Sequence, residues 1–523
     1  MPGQVKNTMY MFLNGIIHSG IRLKQGAAEL LSDSGFFRIC PVLLALAVFI
    51  RPIQVSACTE IYVGSGLTDD GSLIFGRLEE FSSDIGWPKT FDAVPSGLHK
   101  TGEEYLGCYG FRWTFTHDSY GYTAFCDNIS QGVCPDCEGT HEHTPYQAGG
   151  TNEKGLSVSA TETLIGKEEI AAVDPFNTES GIEEAEISTI LLSEAATARE
   201  AMVLLTMIFS ETGAYNAGSV IVADADETWY IESLSGTQYI AVKLNEDLLF
   251  VCPNMSVIGL IDLDDTEHIC SSKKLIETAV RAGTFAGDAD AHRIDFAASY
   301  EDAPESACAR LVAALNYLSS RKVWPSDMKP EDIDGSDFRI SNIDPGGNIV
   351  LPYTGIRAGK KLNVRDVMEL FMETPISRHR SLETHLFQIR DENSGGILEW
   401  ISMGDNRYSV FVPYAPLLTT EVIEPFRTGT AMPELVEEKP AEGHCYATEK
   451  GLWGIYPEGW KNSYYWVFTA LEHIAEEDDV AAERIANAMR TLQNDICQRQ
   501  ETGNASAGKA YRAALDLLKE FGY

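Results

Sequence analysis

A strand, a tight turn and a second strand directly follow one cysteine, and this pattern most constrains the fold. The segments 59–64 (T-E-I-Y-V-G) and 72–76 (S-L-I-F-G) are short and apolar, which indicates two β-strands. Between them, residues 67–71 (L-T-D-D-G) end in an Asp-Gly pair that favours a turn with positive φ. The two segments therefore predict an antiparallel hairpin. In that hairpin, residues 77–80 lie opposite Cys58, within side-chain reach across the ladder.

The other strand-like and helix-like segments indicate an α+β fold rather than a regular alternation of strands and helices. Strands are predicted at 155–160, 219–223, 228–233, 239–244 and 248–251. Helices are predicted at 184–210, at 307–319, at 363–373 with Asn363 as the capping residue, and at 466–521 with a break near 502–504. The sequence shows no internal repeat. We predict one main domain at 58–440 and a mostly helical extension of that domain at 441–523.

The N-terminal region has the order of an export signal. Basic residues precede an apolar run at 40–50, and Val55-Ser56-Ala57 then places small residues before Cys58. The run is shorter than the roughly 20 residues that cross a bilayer. We therefore predict a signal peptide or propeptide at 1–57, cleavage after Ala57, and a bacterial protein that is secreted or associated with the cell envelope. The same four residues also fit a lipid-attachment box, in which the sulfur of Cys58 carries lipid.

The charge of the chain excludes one class of partner. The formal net charge is -37, and residues 1–57 contain five Lys/Arg and only two Asp/Glu, so their removal makes the chain still more acidic. Nucleic-acid binding needs clustered cations against the phosphates. We therefore expect no nucleic-acid partner. No segment after residue 57 reaches the roughly 20 apolar residues that span a bilayer, so we also expect no stable membrane insertion after cleavage. Whether the chain forms a homo-oligomer is left open by the sequence.

A second cysteine-containing segment has side chains that suit a metal. Cys134 and Cys137 form a C-x-x-C pair, and His141 and His143 follow within a few residues. The spacing is compact for a zinc site, and a local disulfide is the favoured interpretation in an exported protein. We therefore predict no metal and no other cofactor. Of the 11 cysteines, ten remain after cleavage, and a nucleophilic Cys58 would leave nine for pairing.

A cysteine at the N-terminus combines a nucleophile and a base in one residue. A free α-amine ordinarily has a pKa of about 7.7 to 8.0, which suits a base near neutral pH. Arg77 can lower the pKa of the thiol and hold substrate, while Glu80 can orient the amine. The structural alternative for Arg77 and Glu80 is an ordinary cross-strand ion pair. A donor for the oxyanion is also required.

An ordered set of motifs supports this chemistry. The set comprises Ala57-Cys58-Thr59 with Gly64, Asp70-Gly71-Ser72, Gly76-Arg77-Leu78-Glu79-Glu80, residues 149–156 (G-G-T-N-E-K-G-L), residues 159–163 (S-A-T-E-T), Pro253-Asn254, residues 361–368, Pro375-Ile376-Ser377-Arg378 and Glu383-Thr384-His385. Together these motifs resemble the dipeptidase family of N-terminal-nucleophile hydrolases, which is related to penicillin V acylases and bile salt hydrolases. The resemblance spans most of the chain after residue 57.

The resemblance implies a four-layer αββα sandwich in which Cys58 starts a central strand, attacks a peptide carbonyl and forms a thioester. Arg77 matches the arginine near the nucleophile, and Asn254 matches the asparagine that supports the oxyanion. Glu80 stands where the acylases usually have Asp. Arg310 is a candidate for their downstream substrate-binding arginine. Their second oxyanion asparagine falls near residues 161 and 162, where this chain has Thr and Glu.

Three functions follow from these observations. The favoured one is an exported dipeptidase that acts on small peptides. A second keeps the mechanism but cleaves other amides, of the bile salt or penicillin type. The third is a non-enzymatic peptide-binding lipoprotein that carries lipid on Cys58. Among the remaining motif residues, Asn152 and Glu153 predict a β-turn, and His385 is interpreted as a structural histidine.

Overall fold

A computed structural model describes residues 58–80, 88–127, 146–321, 361–378, 381–390, 396–499 and 502–523, apart from the single positions 163, 304, 442 and 449. The predicted signal segment at 1–57 lies outside these residues. So does the segment that holds Cys134, Cys137, His141 and His143.

Strands and helices are numbered here in chain order. The strands are β1 (Thr59–Val63), β2 (Leu73–Glu80), β3 (Lys89–Val94), β4 (Glu104–Leu106), β5 (Arg112–Thr114), β6 (Tyr122–Asp127), β7 (Gln147–Thr151), β8 (Ser157–Thr161), β9 (Gly218–Ala223), β10 (Thr228–Ser233), β11 (Tyr239–Leu244), β12 (Leu249–Cys252), β13 (Leu260–Asp262), β14 (Ile269–Ser271), β15 (Gly287–Asp288), β16 (Arg293–Asp295), β17 (Ser381–Ile389), β18 (Ile397–Met403), β19 (Val412–Tyr414), β20 (Glu434–Val436), β21 (Cys445–Ala447) and β22 (Trp453–Ile455). The α-helices are α1 (Glu168–Val173), α2 (Glu184–Glu194), α3 (Ala198–Glu211), α4 (Leu275–Ala282), α5 (Phe296–Tyr300), α6 (Glu305–Ser320), α7 (Val364–Leu370), α8 (Glu424–Arg427), α9 (Tyr464–Glu477), α10 (Asp479–Arg499) and α11 (Asn504–Glu520).

Two large antiparallel sheets form the centre of the fold. The six-stranded sheet has the order β12-β1-β2-β17-β18-β19, and the eight-stranded sheet has the order β14-β11-β10-β9-β8-β7-β6-β3. Their facing sides enclose a core with Phe75 and Phe387 from one sheet and Phe125 and Tyr230 from the other. The first hairpin is confirmed, since β1 pairs with β2 in antiparallel register.

Helices cover the outer face of each sheet. α2 and α3 pack on the eight-stranded sheet, where Ile190 and Leu205 join Val158 and Trp229 in a second core. On the other side α6 packs at β12, α9 at β18 and α11 at β19, and their apolar side chains join the core of the six-stranded sheet. This arrangement confirms the predicted α+β class and the four αββα layers.

The predicted helix at 184–210 is wrong in one respect, because the chain breaks between α2 and α3. Thr197 caps α3 by accepting a hydrogen bond from the backbone N–H of Glu200 at 3.2 Å. The amide of Asn152 donates to the carbonyls of Leu192 and Ala195, at 2.9 and 2.8 Å, and so satisfies the end of α2. The predicted turn at Asn152 is confirmed, and its side chain also terminates a helix.

The C-terminal region contains three helices where one broken helix is predicted. The expected break near 502–504 is confirmed, since Gly503 has a φ of 65° and α11 begins directly after it. A further break at Asp478 separates α9 from α10. The predicted cap of α7 is also confirmed, because the side chain of Asn363 accepts from the backbone of Asp366 at 3.1 Å. Among the residues described, no helix is both long enough and apolar enough to cross a membrane.

Candidate active site

Cys58 lies where the chain enters β1, between two neighbouring strands. Thr59 pairs with Leu78 of β2, so the next position along the ladder places Cys58 opposite Glu79. On its other side β1 pairs with β12 through Glu60 and Cys252, and Asn254 follows two residues after that pair, where Arg310 connects its side chain to the carbonyl of Cys58. The thiol residue is buried, with 6% of its surface exposed. The hairpin and the strand that returns beside it therefore bring together segments distant in sequence.

Arg77 lies at the centre of a buried ionic network. Its Nη1 donates to the carbonyl of Ala160 and to the carboxylate of Glu184. Its Nη2 donates to Glu79 at 2.8 Å and to the hydroxyl of Tyr146 at 3.0 Å. Because the guanidinium is fully buried, these carboxylates stabilise its charge in place of water.

A lysine balances the second half of this network. The ammonium of Lys89 contacts both Glu79 and Asp127, and all three side chains are buried. Burial by itself favours a neutral Glu79, but Lys89 and Arg77 hold the pKa of that carboxyl below its usual range. Glu79 is therefore a fixed negative charge between two cations, next to the position of the nucleophile.

The surroundings of the thiol favour its protonated form. Burial raises the pKa of Cys58 to about 11, and the negative charges of Glu184 and Glu79 act in the same direction. Arg77 acts in the opposite direction, as expected from the sequence, and so does a hydrogen bond from the side chain of Thr161, but neither offsets burial. Near neutral pH the resting group is therefore a thiol, which needs a base before it can attack.

Arg310 joins the segments around Cys58. Its Nη1 donates to the carbonyl of Cys58 at 3.0 Å and to the hydroxyl of Thr59 at 3.2 Å. Its Nη2 donates to the carbonyl of Pro253 at 3.0 Å and to the side-chain oxygen of Asn254. The guanidinium is buried and its two terminal nitrogens point at protein acceptors.

Glu80 is the anionic partner of two arginines. Its carboxylate accepts from Arg378 Nε at 2.9 Å and Nη2 at 3.0 Å, and from Arg310 Nη1 at 3.4 Å. Glu80 is itself buried at the end of β2. Through Arg310, this carboxylate connects to the backbone of Cys58.

Asn254 has the backbone conformation of a left-handed turn, with a φ of 65°. This turn carries the side chain back toward the start of β1, where it is buried. Because the amide oxygen accepts from Arg310, the amide NH2 is the end of the group that can donate elsewhere.

Sequence reasoning missed four side chains of this site, namely Glu79, Tyr146, Thr161 and Glu184 as partners of Arg77 or Cys58. Thr161 had a signal, because the resemblance puts the second oxyanion asparagine of the acylases near residues 161 and 162. Glu184 had none, since its contact with Arg77 joins residues 107 positions apart.

Neither a metal cluster nor a disulfide is found within the described ranges. No group of three or more His, Cys, Asp or Glu side chains there has the arrangement of a metal site. The described cysteines form no disulfide with one another. The Cys134 to His143 segment remains a sequence-based prediction, since it lies outside these ranges.

Comparisons with known proteins agree with the motifs. The family model of peptidase family C69 matches residues 57–332. The chain is 29% identical over 397 residues to the probable dipeptidase B of Streptococcus pyogenes, covering 71% of this chain and 74% of that one. It is 28% identical over 387 residues to the probable dipeptidase of Salmonella dublin, covering 71% and 84%. A mutant of the conjugated bile acid hydrolase from Clostridium perfringens aligns at a TM-score of 0.28 and 10% identity, covering 66% of this chain and 89% of that one.

Proposed function

Because this chain belongs to peptidase family C69, we propose that it is an exported dipeptidase that cleaves dipeptides with Cys58 as an N-terminal nucleophile. The observation that carries this proposal is the position of Cys58 at the start of β1, between the Arg77 network and Asn254. The relatives named as probable dipeptidases support dipeptides as the substrate class.

The proposed mechanism requires removal of residues 1–57. In the full chain the nitrogen of Cys58 is an amide bonded to Ala57, and an amide nitrogen is not a base. Cleavage after Ala57 frees an amine with a pKa of about 7.7 to 8.0. Since burial keeps the Cys58 thiol protonated near neutral pH, this amine supplies the base that the thiol needs.

The reaction then proceeds in two steps. The amine takes the thiol proton as sulfur attacks the peptide carbonyl, and it passes that proton to the nitrogen of the departing amino acid when the C–N bond breaks. This leaves a thioester on Cys58. The amine next takes a proton from water as the resulting hydroxide attacks the thioester, and it returns that proton to the sulfur when the C–S bond breaks. The second amino acid leaves as a carboxylic acid, which loses its proton to solvent.

Asn254 and Arg310 have separate roles in this scheme. The NH2 of Asn254 donates to the oxyanion that forms in each step, and Arg310 fixes the orientation of that amide by holding its oxygen. We therefore assign Arg310 a positioning role in place of the substrate contact suggested by the family resemblance. Glu80 retains its proposed role with the freed amine, because Arg310 Nη1 donates both to this carboxylate and to the carbonyl of Cys58 and so keeps the two residues close together.

The first test combines processing with activity. We expect intact mass and N-terminal sequencing of the exported protein to show Cys58 as the first residue. That form should release free amino acids from dipeptides, while a form that retains residues 1–57 should not, because its Cys58 nitrogen is an amide. A lipid adduct on Cys58 would instead support the lipoprotein. Cleavage of bile salt or penicillin amides without cleavage of dipeptides would support the acylase.

The substitution Asn254→Gly tests the oxyanion donor. Glycine accepts the positive φ of this position, so the change removes the amide without straining the turn. We expect kcat to fall by about 10²- to 10³-fold with little change in KM. His292→Gly is the matched control, since His292 also has a positive φ, of 50°, and is exposed outside the site. An unchanged kcat in Asn254→Gly would remove Asn254 from the mechanism.

A further inference from the structure

Three side chains form a buried hydrogen-bonded line beside the site. Ser159 Oγ lies 2.9 Å from His385 Nε2, and His385 Nδ1 lies 3.0 Å from a carboxylate oxygen of Glu383. An ionised carboxylate only accepts, so Nδ1 carries a proton toward Glu383. In the neutral ring Nε2 is then an acceptor, and the hydroxyl of Ser159 donates to it. We call these residues the Ser159–His385–Glu383 line, in which Ser159 donates to His385 and His385 donates to Glu383.

This line has the residue types of a serine hydrolase triad but not the access. Ser159 and His385 have no exposed surface, and Glu383 has almost none. The ring of Phe125 stacks on His385 with centroids 4.6 Å apart, and Phe387 packs beside it at 5.3 Å. A substrate cannot reach Ser159 between the two sheets. The line must therefore act through the side chain that Glu383 contacts.

That side chain is Arg77. Glu383 Oε1 lies 3.9 Å from Arg77 Nε, the one guanidinium nitrogen that does not contact Glu79 or Glu184. Three carboxylates on β2, α2 and β17 thus surround one planar group and limit its movement in three directions. The carboxylate on β17 is itself held by His385 and Ser159, just as Glu79 is held by Lys89 and Asp127.

The backbone brings the line close to Arg77. His385 and Arg77 are direct partners in the pairing of β17 with β2. The neighbouring residue, Gly76, has a φ of 152°, and a Cβ there would clash with the carbonyl oxygen of His385. A glycine is therefore needed for β17 to approach this closely.

We propose that Ser159, His385 and Glu383 are positioning residues that hold the guanidinium of Arg77 in place against Cys58. This inference rests on the proposed role of Cys58 as nucleophile. Ser159 orients the imidazole, the imidazole orients the Glu383 carboxylate, and the carboxylate attracts the guanidinium of Arg77 at Nε from a distance of 3.9 Å. None of the three touches substrate.

The titratable and charged side chains around the thiol, Arg77 and their direct partners come from several elements. They are Glu60 on β1, Glu79 and Glu80 on β2, Lys89 on β3, Tyr146 before β7, Glu184 on α2, Arg310 on α6 and Glu383 on β17. A variant that keeps all of these charges and changes only the imidazole or the Ser159 hydroxyl therefore isolates the effect of the line.

The test is the pH dependence of Cys58 alkylation by iodoacetamide, measured by mass spectrometry of the Cys58 peptide, together with kcat and KM for a dipeptide. In His385→Phe, Glu383 loses the N–H donor and draws more strongly on Arg77, which then stabilises the thiolate less. We expect the midpoint of alkylation to rise by roughly one pH unit, kcat to fall and KM to stay unchanged. Ser159→Ala should change the same quantities in the same direction by less.

Two controls separate positioning from general packing. Phe387→Leu perturbs the same ring stack without removing a polar group, so its alkylation midpoint should match that of the unaltered protein. Ser159→Thr, unlike Ser159→Ala, keeps a hydroxyl at this position and should keep the alkylation midpoint of the unaltered protein. If His385→Phe and Ser159→Ala fold and keep the original midpoint and kcat, the inference is wrong. Alkylation reports on the thiol directly, whereas failure of the proposed function would appear as dipeptide hydrolysis that survives the loss of Cys58.

Discussion

Replacing Cys58 with alanine is expected to lower kcat/KM for dipeptides by at least about 10⁴-fold, because no thioester can then form. Binding and oxyanion stabilisation alone leave only a small residual rate. Ser159, whose hydroxyl is hydrogen-bonded to His385, cannot substitute because it has no exposed surface. The measurement is the rate of amino acid release by the purified variant.

The controls for this variant address processing and folding. Intact mass must show the same N-terminal cleavage in Cys58→Ala as in the unaltered protein, so that lost activity does not reflect a retained leader. Cys270→Ala, which changes a half-buried cysteine at the edge of the eight-stranded sheet, should keep full activity. Substantial dipeptide hydrolysis by Cys58→Ala would place the nucleophile elsewhere in the chain.

The first hairpin could be predicted because its information is local. Asp70 accepts hydrogen bonds from the backbone N–H and the hydroxyl of Ser72, at 3.0 and 2.6 Å, and Gly71 takes a positive φ. The turn therefore sets the register within a few residues. That register in turn places β2 beside Cys58.

The buried ionic network could not be predicted in the same way. Arg77 meets Ala160 and Glu184 only after the two sheets and α2 have packed together. A carboxylate 107 positions away has no local sequence signal that distinguishes it from the many acidic residues of this chain. The break between α2 and α3 has the same origin, because Asn152 on another segment satisfies the carbonyls at the end of α2.

Replacing Arg77 with methionine is expected to lower the free energy of unfolding by about 3–5 kcal/mol, since buried carboxylates then lose their cation. Methionine fills much of the arginine volume, so the loss reports charge more than packing. Urea denaturation at constant pH measures it. Arg112→Met is the control, because Arg112 pairs with Glu104 at the surface, where removal of an ion pair should change stability by less than about 1 kcal/mol.

The stability lost in Arg77→Met should also grow with pH. Burial raises the pKa of Glu184 to about 7 even though Arg77 opposes the shift. When folding raises the pKa of a carboxyl, the folded protein loses stability as pH rises from the pKa of that group in the unfolded chain to its pKa in the folded protein. Without Arg77 the folded pKa is higher still, so that loss continues to a higher pH. Denaturation at pH 5 and pH 8 should therefore show a larger difference from the unaltered protein at pH 8, and an equal difference at both would mean that Arg77 does not stabilise an ionised Glu184.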